Sequence, residues 1–556
     1  MRLLSLLLLI PFLAAAPAGA EAPGLPAVGE RRLANGVRVL MVERPGSGAL
    51  HVRLLLRGGR ADTGALPPVA AELLARTLLG PALPEDLGNG AALDPLLKRE
   101  EAAWEARRLE GLRRLRGGGS GDAEGVAELV RQARAALDAR LASGPDAFDA
   151  LGASRRSCTA EADYLEEALD LPAERFEAWC GLAAERLRIL QLGRFPVERD
   201  RLLAELGGEA SQARAAQAVL LGAAFPTHPY GAQASLPQAA IQALTWSELR
   251  AYARWAAAPE RLVLVLVGDL APVRALPALE RSFGSLPAAP EGAGRREATG
   301  PMLPEAPGAR RLQASMVGPA RLYMAWLVPP LAHPDGPQLQ VLAAMLGGNR
   351  EARLPRRLLA EGGPARDLKL RLHVPGGRDV GLLALEALPA QGRGLAELEQ
   401  AALGEVLRLQ TQPFGQEEIR RAQRLVEQEL LRAQEDAGSL AHLLGAATCE
   451  GGDWRLPFRL LGLGRDVTPE ELQGAARRHL ASQQLVVALL EPDPLLTPQD
   501  AQEGRLVKAL EALFAPRLPD RARLEAVVRE AVRQLRMLGV AEREATLRLL
   551  ETQVKP

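Results

Sequence analysis

Six histidines and three cysteines are the residues of this 556-residue chain with most scope for metal or nucleophilic chemistry. The histidines are His51, His228, His333, His373, His442 and His479. A zinc site on one helix needs two of them at positions i and i+4, so that both imidazoles leave the same face. No two lie within five residues of each other, so no such pair exists. Cys158, Cys180 and Cys449 are spread over nearly 300 residues, which shows no metal spacing and allows at most one internal disulfide. Nothing in the spacing supports a catalytic Cys–His pair. His228 falls in the loop Phe225-Pro226-Thr227-His228-Pro229-Tyr230-Gly231 and reads as structural. His442 and His479 fall on expected helices, as packing or surface residues.

Two carboxylates have a more regular spacing. Glu198 and Glu205 stand seven residues apart in Phe195-Pro196-Val197-Glu198-Arg199-Asp200-Arg201-Leu202-Leu203-Ala204-Glu205. Seven residues make two helical turns, so both are expected on one face. With Arg199 and Arg201 beside them, they read as a salt-bridged helix surface. Two carboxylates alone bind Zn²⁺ poorly, because nitrogen and sulfur ligands suit that metal better.

The elements that must position these residues follow from pattern. Leu33 to Val42 reads as two strands around the Asn35-Gly36 turn, and Val52 to Leu56 as a further strand. Val69 to Leu79 has helical apolar spacing. Residues 84–150 are charged and rich in Ala and Leu, and Gly117 to Gly121 interrupt them; they read as a helical hairpin insertion, a solvated decoration. Thr245-Trp246-Ser247-Glu248 has capping-box spacing at a helix start. Leu262 to Asp269 reads as a strand buried on both faces. Residues 291–310, rich in Pro, Gly, Ala and Glu, mark a linker.

The chain repeats itself. Leu244 to Asp269 aligns without gaps to Val467 to Pro492, pairing Thr245 with Thr468, Glu248 with Glu471, and Leu262 with Leu485. A weaker match links His51–Gly80 with Ala320–Gly348. Its offset is larger by about 45 residues, as expected if the insertion sits only in the first copy. The expected fold is α+β: an N-terminal domain over 21–290 with the insertion, a homologous C-terminal domain over 311–495, and a helical tail over 496–556. The tail's apolar positions suit helices folded back on the second domain.

Lys plus Arg and Asp plus Glu both number 68, so the net charge is zero. That argues against a protein that neutralises many phosphates, and so against nucleic acid as a partner. Residues 1–20 read as a cleaved signal peptide: Arg2, an apolar run from Leu3 to Leu13, then Ala18-Gly19-Ala20. No later stretch reaches the 18 uncharged apolar residues of a membrane span. The expected location is the periplasm or outside the cell.

Several of these stretches together resemble the M16 zinc metallopeptidase family, which includes insulinase, pitrilysin and the mitochondrial processing peptidases. They are Leu33 to Val39, Phe195 to Glu205, the His228-Pro229-Tyr230-Gly231 loop, Val263 to Asp269, Phe283 to Pro287, Leu346-Gly347-Gly348 and Arg353-Leu354. The resemblance covers roughly residues 30 to 495 without the insertion. It implies two similar α+β domains around a peptide-binding chamber.

Active members are similar in carrying His-x-x-Glu-His on one helix. The helix that corresponds here begins Pro67-Pro68-Val69-Ala70-Ala71-Glu72 and continues Leu73-Leu74-Ala75-Arg76-Thr77. One register puts Ala71, Leu74 and Ala75 in the His, Glu and His slots; the next puts Glu72, Ala75 and Arg76 there. Neither supplies a histidine, and arginine carries a permanent positive charge. By the resemblance Glu205 falls on the distant zinc-ligand position and Glu198 on its supporting glutamate, both as relics. The family's Arg and Tyr substrate slots in the second domain hold Leu359 and Arg366. The resemblance therefore implies no catalytic residue and no cofactor, zinc included. It implies a peptide-binding or partner subunit of an active M16 peptidase in the cell envelope, as a heterodimer or with itself as a homodimer. The alternatives are a zinc endopeptidase with an unorthodox or partner-completed site, and a structural subunit of an envelope assembly.

Overall fold

The computed structural model describes residues 25–80, 90–115, 122–141, 146–190, 192–207, 209–232, 237–288, 310–316 and 318–492, with scattered positions between 506 and 550. The signal peptide, the Gly117–Gly121 tip, nearly all of the linker and most of the tail lie outside the described residues.

Alternating apolar segments build two sheets. The first contains β1 (Gly29–Arg32), β2 (Arg38–Glu43), β3 (Ala49–Leu56), β4 (Ser154–Ala160), β5 (Leu165–Pro172) and β6 (Leu262–Gly268), in the order β1-β2-β6-β3-β5-β4. The second contains β7 (Arg310–Met316), β8 (Arg321–Val328), β9 (Ala365–Val374), β10 (Gly381–Pro389) and β11 (Leu485–Pro492), in the order β7-β11-β8-β10-β9. Remove β1 and the orders superimpose strand for strand. The β2/β6 and β7/β11 pairs are parallel, and every other matched pair is antiparallel.

The helices that concern the site are α1 (Val69–Leu78), the insertion pair α2 (Gly90–Leu115) and α3 (Ala123–Asp138), α4 (Phe195–Ala204), α5 (Glu209–Ala224), α6 (Trp246–Ala256), α7 (Gly336–Gly347), α8 (Gln416–Glu435), α9 (Ala437–Gly451) and α10 (Pro469–His479). The internal repeat is borne out in detail. Thr245 caps α6 and Thr468 caps α10, each in a capping box with the glutamate three residues on. Each helix leads through a short 3-10 turn into an interior strand of its sheet, β6 or β11. The Asn35-Gly36 turn joins β1 and β2 as the pattern read, with the first strand ending at Arg32, before Leu33. Gly36 takes φ +98°, which a side chain would strain.

Each sheet is apolar on both faces, and the two halves of the chain exchange cover. Along β6, Leu262, Leu264 and Leu266 face a core shared with α1 and α6. Val263, Val265 and Val267 face the other way, onto Leu440, Ala441 and Leu444 of α9 from the C-terminal half. The second sheet repeats this. Val487 and Leu489 face α7 and α10, while Val486, Ala488 and Leu490 meet Ala216, Leu220 and Leu221 of α5 from the N-terminal half.

This exchange predicts cooperative unfolding. Leu444→Ala should destabilise the chain by about 2–5 kcal/mol, because it empties a fully buried site against the first sheet. The unfolding transitions of the two halves, followed by separate probes, should stay coincident in urea. Two separated transitions would show that the exchanged helices do not couple the sheets.

Candidate functional site

The centre of interest is the solvent-side face of α1. Its apolar positions decide the orientation: Ala71, Leu74 and Ala75 are at most 1% exposed in the first core. Glu72 and Arg76, one turn apart, therefore look away from it. Of the two registers, the second is the one with members, Glu72 and Arg76, on the edge that meets the extension of α4, while Ala75 stays in the core.

Arg76 and Glu72 tie α1 to two other segments. Arg76 Nη1 and Nη2 donate to Oε1 and Oε2 of Glu205 at 3.0 and 2.9 Å, a two-point clasp. Its Nε donates to Glu72 Oε1 at 3.1 Å. Arg60, from the 3-10 turn after β3, donates to Glu72 Oε2 at 3.0 Å. Two guanidiniums thus alternate with two carboxylates. Burial alone would push the Glu72 carboxyl up, but Arg60 and Arg76 outweigh it and hold Glu72 below the usual carboxylate range. The hydrogen bond from Arg76 likewise lowers Glu205. Burial would lower the Arg76 pKa, and the two carboxylates raise it further above its ordinary value.

Glu198 and Glu205 differ in their surroundings. Helix α4 ends at Ala204, and the Glu205 backbone N–H still bonds the Arg201 carbonyl as a 3-10 turn begins. Glu198 is buried, 3.4 Å from Arg201 and 4.0 Å from Arg194, whereas Glu205 is half-exposed on Arg76. Arg199, also on α4, is buried against Glu100 of the insertion at 2.6 Å and lies over the Trp104 ring at 3.5 Å. The insertion is thus more than a solvated decoration, because it braces the helix that delivers Glu205.

The histidines stay apart from this centre. His51 pairs with Asp170 at 2.6 Å and His442 contacts Glu166 at 3.2 Å. His479 contacts Asp335 at 2.7 Å. His228 accepts a hydrogen bond from the backbone N–H of Tyr230, as the structural reading expects. Tyr230 in turn donates to Asp163 at 2.8 Å, and Arg378 of the second half clasps Asp62 at 2.9 and 3.1 Å and lies 3.3 Å from Asp163. That cluster fastens the two halves. Cys158, Cys180 and Cys449 are free thiols, and burial raises the pKa of each, which keeps them protonated and unreactive. Among the described residues no three His, Cys, Asp or Glu side chains are grouped to hold a metal ion. Leu359, at the end of the Arg353–Leu358 helix, and Arg366, on edge strand β9, are exposed.

Arg60 and Arg378 escaped the sequence reading, since their partners lie far along the chain or across the repeat. The Glu72/Arg76 pair did leave a signal, as oppositely charged residues at i and i+4 on an otherwise apolar helix.

Arg76→Ala should cost about 1–3 kcal/mol, because it leaves two carboxylates without their shared cation. The Glu72 pairing also fixes a pH dependence. Its folded value lies below the ordinary 4.5, so the stability it contributes is present above that pH and is lost as pH falls through the folded value. Urea midpoints measured between about pH 6 and pH 3 should therefore fall more steeply for the native chain than for Glu72→Gln.

Comparison with known proteins follows the same lines. Residues 243–426 match the model described as the peptidase M16 inactive domain, a stretch that starts after α1 and α4. No curated protein matches the chain. Among solved structures, a protease from Helicobacter pylori is 15% identical with a TM-score of 0.66, covering 84% of this chain and 100% of its own. A peptidase M16 inactive domain from Pseudomonas fluorescens is 18% identical with a TM-score of 0.61, covering 84% and 98%. The first half of the periplasmic protease PqqL from Escherichia coli is 13% identical with a TM-score of 0.55, covering 84% and 93%. At such identities the structures speak for the fold. The resemblance read from the sequence is borne out: residues 243–426 match the M16 inactive-domain model, the fold is that of M16-type peptidases, and the sequence holds no His-x-x-Glu-His motif.

Proposed function

We propose that this chain is a catalytically inactive M16-type homologue that acts as a peptide-binding or partner subunit of an active M16 peptidase in the cell envelope. One observation carries the reading: the guanidinium of Arg76 lies between Glu72 and Glu205. On the alignment that puts Glu72, Ala75 and Arg76 in the His, Glu and His slots, Glu205 stands at the distant ligand position and Glu198 at its support. A fixed cation then occupies the neighbourhood where active members hold theirs. Zn²⁺ would have to displace a two-point ion pair and sit beside a permanent positive charge. Catalysis also needs a base to activate water, and Ala75 offers none.

The two sheets and their exchanged helices are complete, so what is lost is the chemistry and what is kept is the frame. That combination supports a binding or partner role, with domains over 21–290 and 311–495 and the tail over 496–556. Export through a cleaved signal at 1–20 fits the pattern of that segment. The description of one fold relative as half of a periplasmic protease supports the same compartment. No helix among the described residues is long and apolar enough to cross a membrane.

Elemental analysis of the untagged mature chain tests the reading, alongside the variant Glu72→His/Ala75→Glu/Arg76→His. The native chain should hold substoichiometric zinc and show no chelator-sensitive proteolysis. The folded triple variant should take up zinc, because two imidazoles at i and i+4 then face Glu205. One tightly held zinc per native chain would overturn the inactive reading. A folded triple variant that binds none would overturn the assignment of Glu72, Arg76 and Glu205 to relic positions. Co-purification with an active His-x-x-Glu-His homologue then tests the partner role, and its absence would leave the homodimer.

A further inference from the structure

We propose that a cavity in the second half, separate from the Arg76 centre, binds a small multiply charged anion bearing phosphate or carboxylate groups. The cavity measures about 460 Å³ and lies between the C-terminal end of α7, the Arg353–Leu358 helix, the Leu395–Thr411 helix and α8. That volume suits a small molecule.

Five arginines line it, and they fall into two groups. Arg353 and Arg408 are already neutralised. Arg353 donates to both carboxylate oxygens of Glu418 at 2.6 and 2.8 Å and lies 5.7 Å from the centre of the Phe414 ring, while Arg408 pairs with Glu405. Arg356, Arg357 and Arg421 are different. Their side chains are exposed, they reach the same cavity from two helices, and among the described residues they make no hydrogen bond or ion pair. One lining carboxylate, Glu351, stands against these three cations. The surplus is positive and focused in a concave space.

Other arginines that line buried or half-buried sites are spent on carboxylates, as at Arg60, Arg76, Arg186 and Arg378. Here three guanidinium forks remain free around a wall fixed by the Arg353–Glu418 clasp. A guanidinium matches the paired oxygens of a phosphate or carboxylate, and three of them favour a ligand with more than one negative charge. Helix α8 carries Arg421, and buried Ala352, Leu354 and Pro355 hold the helix that carries Arg356 and Arg357. The inference uses only second-half residues and does not depend on the partner reading.

Calorimetric titration of the mature chain with pyrophosphate, and separately with citrate, tests it at low and at physiological salt. One saturable site per chain is expected, weakening as salt rises. The variant R356Q/R357Q/R421Q should lose about tenfold or more in affinity, and R421Q alone should lose part of that. A control removing exposed charge from the first half, R274Q/R281Q, should leave binding unchanged. Binding of pyrophosphate alone assigns a phosphoryl ligand, and binding of citrate alone a carboxylate one. Failure of both probes to saturate, or equal weakening by the control, would overturn the proposal.

Discussion

Both sheets of this protein are apolar on two faces, and that constraint organises everything else. A sheet buried on both sides needs cover on both sides. Each half supplies helices for one face of its own sheet and one helix for the far face of the other. Leu444 of the C-terminal half packs on the first sheet, and Leu220 of the N-terminal half packs on the second. The exchange makes the two halves one cooperative object despite the linker between them. It also places Asp62 and Asp163 beside Arg378, where the junction is fastened by charge.

The Arg76 centre is a consequence of that frame. Helix α1 is pinned by its apolar face in the first core, which leaves one narrow polar edge. Helix α4, braced from behind by the insertion through Arg199 and Glu100, brings Glu205 to that edge. In a site meant for a metal, such a meeting of carboxylates would be held together by the ion. Here guanidiniums supply the positive charge instead. Glu72 and Glu205 would repel each other at this edge, and Arg76 between them relieves the repulsion. The fold can therefore outlast the loss of the chemistry.

Much of this was legible from residue order. The gapless match of Leu244–Asp269 to Val467–Pro492 foretold two sheets built alike, because capping boxes and buried strands are local signals. The absence of a His-x-x-x-His pair was likewise a matter of counting. The partner of Glu205 was not legible: helical register tells how it leaves α4, not that Arg76 meets it there. The insertion was undervalued for a similar reason. Charged helices with many surface residues look solvated until a buried pair such as Glu100 and Arg199 ties them down.

The sequence by itself determined the pair of repeated α+β halves, the family likeness and the lack of histidine on α1. Those depend on residue type and on spacings of a few positions, which backbone periodicity converts directly into faces. Only the tertiary structure decided that Arg76 clasps Glu205 from 129 residues away, and that each half covers the other's sheet. Such contacts are set by which apolar faces must be buried together, and packing against a particular sheet is what brings distant segments to one edge.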